Sequence, residues 1–560
     1  MTEKTEAVVR TDSPGEDAHG TSRRRFITSS AAVVGGGLLA GAAGGAPTAL
    51  ASTLRRGKAV KGLASQGIVA WDTAVEATNL NPIGGTNNAA VTNVRCWVTN
   101  TLLRPGAKAT AFTPDLAVAV PSPAKGSKGL VYNVKVRSGV RFSNGAKFSA
   151  KDVATTYQTV MNPANGSIWA GSVIGVKSVE AVDASTVRFQ MSSAVNPFVV
   201  HNMMASIPIV SAAQATDKTT LATAPIGTGA FMVSKVVPGN VVHLKPNPHY
   251  FRKGLPKVKG IDYLVVPDDT TRVVNVRNGL CALTADVPYE QISVLEGHIP
   301  KLFAVKTAPT RFYYYTNALK PGLSDVNLRQ AMAYAIDRQA IIDTVFGGKG
   351  RIGGSAWSAN TAYFDPKVNN GHYSRRPNLT KAKAYLAKAQ NVPSSISMSL
   401  IAGDTVVTDA FTILQANWQA LGLNVVADTE SLAGTVGKLF SKPLGNPGSY
   451  DMFIYLDILG TGPGYGFSYI TGTYLIGGNV NLWNITDASL QRDIATLVNG
   501  TSRAEIQKAA TAIQQFQLDN LFETCICYPD YLEAEGVPLT GYRPAAIGGL
   551  PYTVENASIA

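Results

Sequence analysis

Between Leu130 and Pro163 the spacing of apolar residues changes from a strand's period to a helix's, and no single element accommodates both. Tyr132, Val134 and Val136 alternate with Asn133, Lys135 and Arg137, the pattern of a half-buried strand. Ser143-Asn144-Gly145 supplies a turn, because Asn and Gly tolerate positive φ. Ser149 stands three residues before Asp152, a capping-box spacing that opens a helix. Val153, Tyr157 and Val160 then share one helical face. Strand, tight turn, short strand and capped helix come in that order, which predicts an α/β chain.

The chain's 560 residues are too many for one compact core, so two or three domains are expected. Apolar residues make up 45% and charged residues 16%, enough to bury large cores. The formal charge is +13. Lys4, Arg10, Arg23, Arg24 and Arg25 balance Glu3, Glu6, Asp12, Glu16 and Asp17 in residues 1–51, so the excess belongs to residues 52–560. Only short basic pairs occur there, Arg55-Arg56 and Arg375-Arg376, so no nucleic-acid partner is expected.

Residues 1–21 are polar, and Ser22-Arg23-Arg24-Arg25-Phe26-Ile27 leads into a mildly apolar, Ala/Gly-rich run ending at Ala46. This resembles a twin-arginine export signal, with a small-x-small cleavage site at Ala49-Leu50-Ala51. The expectation is export by the twin-arginine machinery, cleavage near Ala51, and a soluble periplasmic or extracellular protein. No later run of about 18 apolar residues occurs. Cys96, Cys281, Cys525 and Cys527 allow three disulfide pairings, between which sequence does not choose. Cys525 and Cys527 share a strand face, where a direct bridge would be strained, so buried free thiols or one long-range disulfide are expected.

The literal wording of Tyr132–Val153, traced along the chain, carries a resemblance. "VRSGVRFSNGAKFSAKDV", Pro225-Ile226-Gly227-Thr228-Gly229-Ala230-Phe231, the run Val241–Phe251, and Asp325–Arg338 (DVNLRQAMAYAIDR) occur in an order similar to the solute-binding proteins of the peptide, opine and nickel import family. Asn100 departs from that pattern, standing where the family usually has Glu. The resemblance covers about Ile68 to Pro529. It implies a periplasmic-binding-protein-like type II fold: two lobes, a hinge, and an extra subdomain inserted in the first lobe. The expected division is a lead and signal at 1–51 and a linker at 52–67. Lobe I would comprise 68–92, 226–306 and 529–560, the inserted subdomain 93–225, and lobe II 307–528.

Residue chemistry gives little for catalysis. The histidines His19, His201, His243, His249, His298 and His372 show no i, i+3 or i, i+4 pair, which argues against a helical zinc motif and against free nickel. The run Gly466–Ile470 lacks the second glycine of a nucleophile elbow, and no carboxylate pair stands out. Pro225–Phe231 lacks the Lys-Ser/Thr of a phosphate loop, and its glycines are expected to permit a tight turn. Asp337-Arg338 is expected within one long amphipathic helix from Asp325 to Gly347. No catalytic residue, metal or cofactor is expected.

Aromatics in glycine-rich settings are the candidate ligand contacts. The resemblance places Tyr313, Tyr315, Trp357, Asp457, Tyr465, Phe467, Trp483 and Asn484 around a cleft. Tyr313 and Tyr315 point to one side of their strand and Tyr314 to the other, without fixing which side faces the cleft. Trp483 either stacks on ligand or covers the core. Asp457 is either a solvated loop carboxylate or a ligand contact. It stands a few residues before the position, near Gly460 or Thr461, where the family often carries an Asp for a peptide's ammonium. The implied function is capture of a peptide or peptide-like molecule by a monomer and delivery to the permease and cytoplasmic ATPase subunits of an ABC importer. A secreted hydrolase and a ligand sensor feeding a signalling partner are the rival readings.

Overall fold

A computed structural model describes residues 63–74, 76–84, 89–106, 111–173, 175–306, 310–440, 449–457, 470, 473–474, 482–483, 485–544 and 552–560. The lead and signal at 1–51, most of the linker, and Tyr465, Phe467 and Asn484 lie outside these residues.

Two sheets organise the chain. The first has seven strands in the order Lys301–Val305, Tyr531–Glu535, Leu283–Ala285, Ile68–Thr73, Gly260–Val265, Val241–Pro246 and Phe231–Val237. Ile68–Thr73 runs parallel to both neighbours, and the outer pairings are antiparallel. Val69, Trp71, Ile261 and Tyr263 supply the apolar side chains of one core, against which Val91, Val94 and Trp97 of the helix Ala89–Val98 pack. The expected subdomain boundary at 93 falls inside this helix. Its apolar residues on both sides of 93 belong to the first sheet's core.

The second sheet has six strands in the order Gly350–Ile352, Glu523–Pro529, Arg311–Thr316, Met452–Asp457, Ile396–Ile401 and Val425–Glu430. The chain passes between the sheets twice. Val305 ends a strand of the first sheet and Arg311 begins one of the second; Pro529 ends a strand of the second and Tyr531 begins one of the first. The two passages are tied together where the Thr310 hydroxyl donates to the Pro529 carbonyl.

A third unit has its own core. Val131–Lys135, Thr186–Met191 and Val176–Ala181 form an antiparallel sheet in the order first, second, third. The helix Ala150–Met161 buries Val153, Tyr157 and Val160 in its core, together with Tyr132 and Val134 from the strand. The Ser149 N–H donates to the Asp152 carboxylate at 2.8 Å, so the expected cap forms. Gly145 takes φ +86° in the turn before it.

Two expectations change, and one choice left open is decided. The long helix expected from Asp325 to Gly347 is two helices, Val326–Tyr334 and Arg338–Val345. Asp337 caps the second, accepting from the Ala340 N–H at 2.9 Å, while its own N–H donates to Asn417 Oδ1 at 2.7 Å. Gly227 and Gly229 are not in the left-handed region. They instead allow close approach to the end of the helix Ala89–Val98: a Cβ on Gly227 would lie 2.0 Å from the Val98 carbonyl oxygen. Finally, all four cysteines are free thiols. Cys281, Cys525 and Cys527 are buried, and burial pushes the Cys525 thiol up to about 12.

Candidate functional site

The central strand Arg311–Thr316 is buried along its whole length, and its alternation sends aromatic rings to both faces of the second sheet. Phe312 and Tyr314 face one core, where Tyr314 meets Trp418 edge-on at a centroid distance of 5.7 Å. Tyr313 and Tyr315 face the other, with Trp357, Phe453, Tyr474 and Trp483. The alternation thus places Tyr313 and Tyr315 in one core and Phe312 and Tyr314 in another.

On that face Tyr313 and Tyr315 meet at 5.0 Å and Tyr315 meets Trp483 at 5.3 Å, both edge-to-face arrangements that favour the ring quadrupoles. The Trp483 indole N–H donates to the Thr316 carbonyl at 2.8 Å, which satisfies its polar atom inside the core. The Tyr528 hydroxyl lies 2.6 Å from the Ser355 carbonyl oxygen and 2.9 Å from that of Trp357, holding the Trp357 loop against the strand Glu523–Pro529. Leu490, Ile494 and Leu497 of the helix Ala488–Asn499, and Ile506, Ala510 and Ile513 of the helix Arg503–Asn520, belong to the same cluster. Tyr313, Tyr315, Trp357 and Trp483 are thus brought together as one buried aromatic layer.

Asp457 is neither in a loop nor solvated. It ends the strand Met452–Asp457 directly opposite Arg311 and is 2% exposed. Arg311 Nε and Nη2 donate to its Oδ2 at 3.1 and 3.0 Å, and Nη1 donates to Glu523 Oε1 at 2.7 Å. The guanidinium also lies 4.3 Å from the Tyr313 ring centroid. Burial is the main force on Glu523 and raises its carboxyl to about 7, while Arg311 pulls the other way. Sequence reasoning missed Arg311 and Glu523. The signal was there in a pair of charged residues, one at the head of FYYY and one before TCIC, each set in an apolar run where an unpaired charge is costly.

Among the described residues, no group of three or more His, Cys, Asp or Glu side chains is placed to hold a metal ion. No helix there is long and apolar enough to cross a membrane. A cavity of about 400 Å³ lined by Tyr334, His372, Tyr373 and Lys381 shares no residue with the aromatic layer.

Comparison with known proteins gives consistent results. The family described as bacterial extracellular solute-binding proteins, family 5 (middle region) matches residues 112–475. The glutathione-binding protein GsiB of Escherichia coli (strain K12) is 27% identical over 225 residues, 39% of this chain and 43% of that protein. The Salmonella typhi protein of the same name is 27% identical over 223 residues, with the same shares covered. The chain thus aligns with less than half the length of these curated relatives. Among solved structures, the ABC transporter substrate-binding protein CtaP from Listeria monocytogenes superposes with a TM-score of 0.77 at 19% identity, covering 88% of this chain and 99% of that one. The oligopeptide-binding protein AppA from Bacillus subtilis, in complex with a nonapeptide, gives 0.67 at 20% identity, with 88% and 98% covered. NikA from Brucella suis, in complex with Fe(III)-EDTA, gives 0.75 at 18% identity, with 88% and 99% covered. These likenesses establish the two-lobed type II binding-protein fold, and with residues 112–475 matched, the chain belongs to the bacterial extracellular solute-binding proteins of family 5.

Proposed function

We propose that this protein captures a peptide or peptide-like small molecule between its two lobes and delivers it to the permease of an ABC importer, without chemical turnover. The observation that carries this is the double passage between the two sheets, at 305–311 and 529–531, in a chain of this family. Two short antiparallel connections let the lobes rotate as rigid bodies while each keeps its own core. A ligand that touches both lobes only when they are shut selects the closed form, and that form is what the permease reads.

The aromatic layer of Tyr313, Tyr315, Trp357 and Trp483 is the floor of the ligand side of lobe II. Tyr465 and Phe467 of the glycine-rich run that starts at Asp457, and Asn484, supply ligand contacts. Because Asp457 is already paired with Arg311, it stabilises this floor rather than receiving a ligand ammonium. The names of the relatives, a glutathione-binding protein and a nonapeptide complex, support a peptidic ligand class. The segment Ser22–Ala51 directs twin-arginine export, so the monomer works outside the cytoplasmic membrane.

Mass spectrometry of ligand released from gently purified protein tests the ligand class, with calorimetric titration of reduced glutathione and short peptides alongside. A bound peptide or γ-glutamyl peptide supports the reading. A single non-peptide metabolite, with no binding of either probe, rules it out.

A further inference from the structure

Asn196 is fully buried and touches two helices that belong to different units. It is the N-cap of the helix Pro197–Ser206, where its Oδ1 accepts from the Phe198 N–H at 3.0 Å. That helix belongs to the unit built on the strands Val131–Lys135, Thr186–Met191 and Val176–Ala181. The Asn196 carbonyl accepts from the Val199 N–H of the same helix at 2.9 Å, while its backbone N–H and side-chain NH2 turn to the second lobe. The Asn196 N–H donates to the Val498 carbonyl at 2.9 Å, and Nδ2 donates to the Leu497 carbonyl at 3.0 Å. The Tyr363 hydroxyl donates to Asn196 Oδ1 at 3.0 Å.

Leu497 and Val498 lie in the last turn of the helix Ala488–Asn499. The final carbonyls of any helix lack partners within it and take water or an outside donor. Here both outside donors are on one residue of the opposite unit. Tyr363 is built to meet it: the residue takes φ +66°, a costly conformation for a bulky side chain, and its carbonyl is held at 3.0 Å by both Gln507 and Gln514. Its ring also meets Phe198 at 5.9 Å. Beside this contact Gly129 packs against Thr501, where a Cβ would make ordinary contact with the Thr501 methyl carbon at 3.4 Å.

We infer that Asn196 is a latch between the lobes, capping one helix in each, and that its engagement with Leu497, Val498 and Tyr363 sets how much of the protein is closed and hence the apparent ligand affinity. The inference rests on the proposed lobe closure. When the lobes part, the two carbonyls and the Tyr363 hydroxyl must find water, while Asn196 keeps only its own helix cap. Apparent affinity scales with the population of the binding-competent form, so loosening the latch weakens every ligand by the same factor.

The test uses spin labels at Glu180→Cys and Lys508→Cys, both at exposed positions, in a Cys96→Ser background, with pulsed electron–electron distance measurement on ligand-free protein. Asn196→Ala and the milder Tyr363→Phe should each shift the distribution to longer distances. They should also weaken reduced glutathione, used as the probe, by roughly three- to tenfold per lost hydrogen bond. Unchanged distances in folded Tyr363→Phe protein overturn the latch, even where Asn196→Ala fails to fold. Longer distances in a protein that never binds glutathione leave the latch standing and remove only the assignment of that ligand.

Discussion

Arg311 and Asp457 stand directly opposite each other on antiparallel strands, with Arg311 Nη2 3.0 Å from Asp457 Oδ2. Glu523, on the strand to the other side of Arg311, takes its remaining edge at 2.7 Å. One guanidinium therefore serves two buried carboxyls in the middle of the second sheet. Removing one partner of a buried pair strands the others in a low-dielectric site. Arg311→Met should destabilise the protein by about 3–5 kcal/mol, because both acids lose their cation. Asp457→Asn should cost less, about 1–2 kcal/mol, since Arg311 keeps Glu523 and an amide oxygen still accepts. Denaturant unfolding of the two variants measures the order. Equal losses would mean that the three groups do not act as one network.

Glu533 gives a pH dependence of known sign. It lies within the fully buried strand Tyr531–Glu535 and accepts from the Tyr542 hydroxyl at 2.5 Å. Burial, helped by nearby Asp286, raises its carboxyl from 4.5 to about 7. The unfolded chain releases this proton near 4.5 and the folded chain only near 7. Between those values the folded state holds the extra proton, so this group's effect on stability worsens as pH rises and levels off above about 7. Glutamine mimics the protonated form at every pH. The stability of Glu533→Gln relative to the parent should therefore improve by about 2–3 kcal/mol between pH 5 and pH 8. A gap that does not move with pH would mean that Glu533 is ionised in the folded protein.

Local signals and distant ones fared differently. The strand at 131–135, its turn and the capped helix after it were legible because each rests on neighbours a few residues apart. The face chosen by Tyr313 and Tyr315 was not, since alternation fixes opposition but only the helices at 488–499 and 503–520 decide which side is which. The break between Tyr334 and Arg338 was hidden for a similar reason. Ala335 and Ile336 suit a helix, and what stops it is tertiary: the Asn378 N–H donates to the Tyr334 carbonyl at 2.8 Å, and Asn417 holds the Asp337 N–H. The partners of Arg311 lie 146 and 212 residues away, beyond any periodicity.

Among the described glycines, Gly227 is the one where an added Cβ would come closest to another atom. A Cβ there would lie 2.0 Å from the Val98 carbonyl oxygen and 2.9 Å from the Thr99 methyl carbon. The same glycine's carbonyl accepts from the Ser143 N–H at 2.9 Å, so it joins the first sheet's helix to the third unit's turn. Gly227→Ala must push these apart and should destabilise by about 3 kcal/mol or more, as overpacking against backbone does. Gly239→Ala is the control. Nothing lies within 4 Å of its Cβ, so its loss should come only from its φ of +66°, about 1–2 kcal/mol. Thermal unfolding of both variants gives the comparison, and a Gly227→Ala loss no larger than the control's would contradict the close approach.

A substitution at Trp483 separates a supporting role in the aromatic layer from direct ligand contact. Its indole is 3% exposed, touches Tyr315, and donates to the Thr316 carbonyl. Trp483→Phe keeps much of the ring area but removes the donor, leaving that carbonyl short of one partner. The expected cost is about 1–2 kcal/mol of stability. If the ring only supports the core of the second lobe, affinity for the peptide probe should change less than about threefold. The fluorescence change on binding should then persist in Trp483→Phe, carried by Trp357 in the same layer. If instead the indole stacks on ligand, the variant should lose tenfold or more in affinity, with the fluorescence response removed. Titration of parent and variant, monitored by intrinsic fluorescence and calorimetry together, distinguishes the two. The burial of the ring and the bonded indole N–H favour the first outcome, in which Trp483 packs with Tyr313, Tyr315 and Trp357 and does not touch ligand.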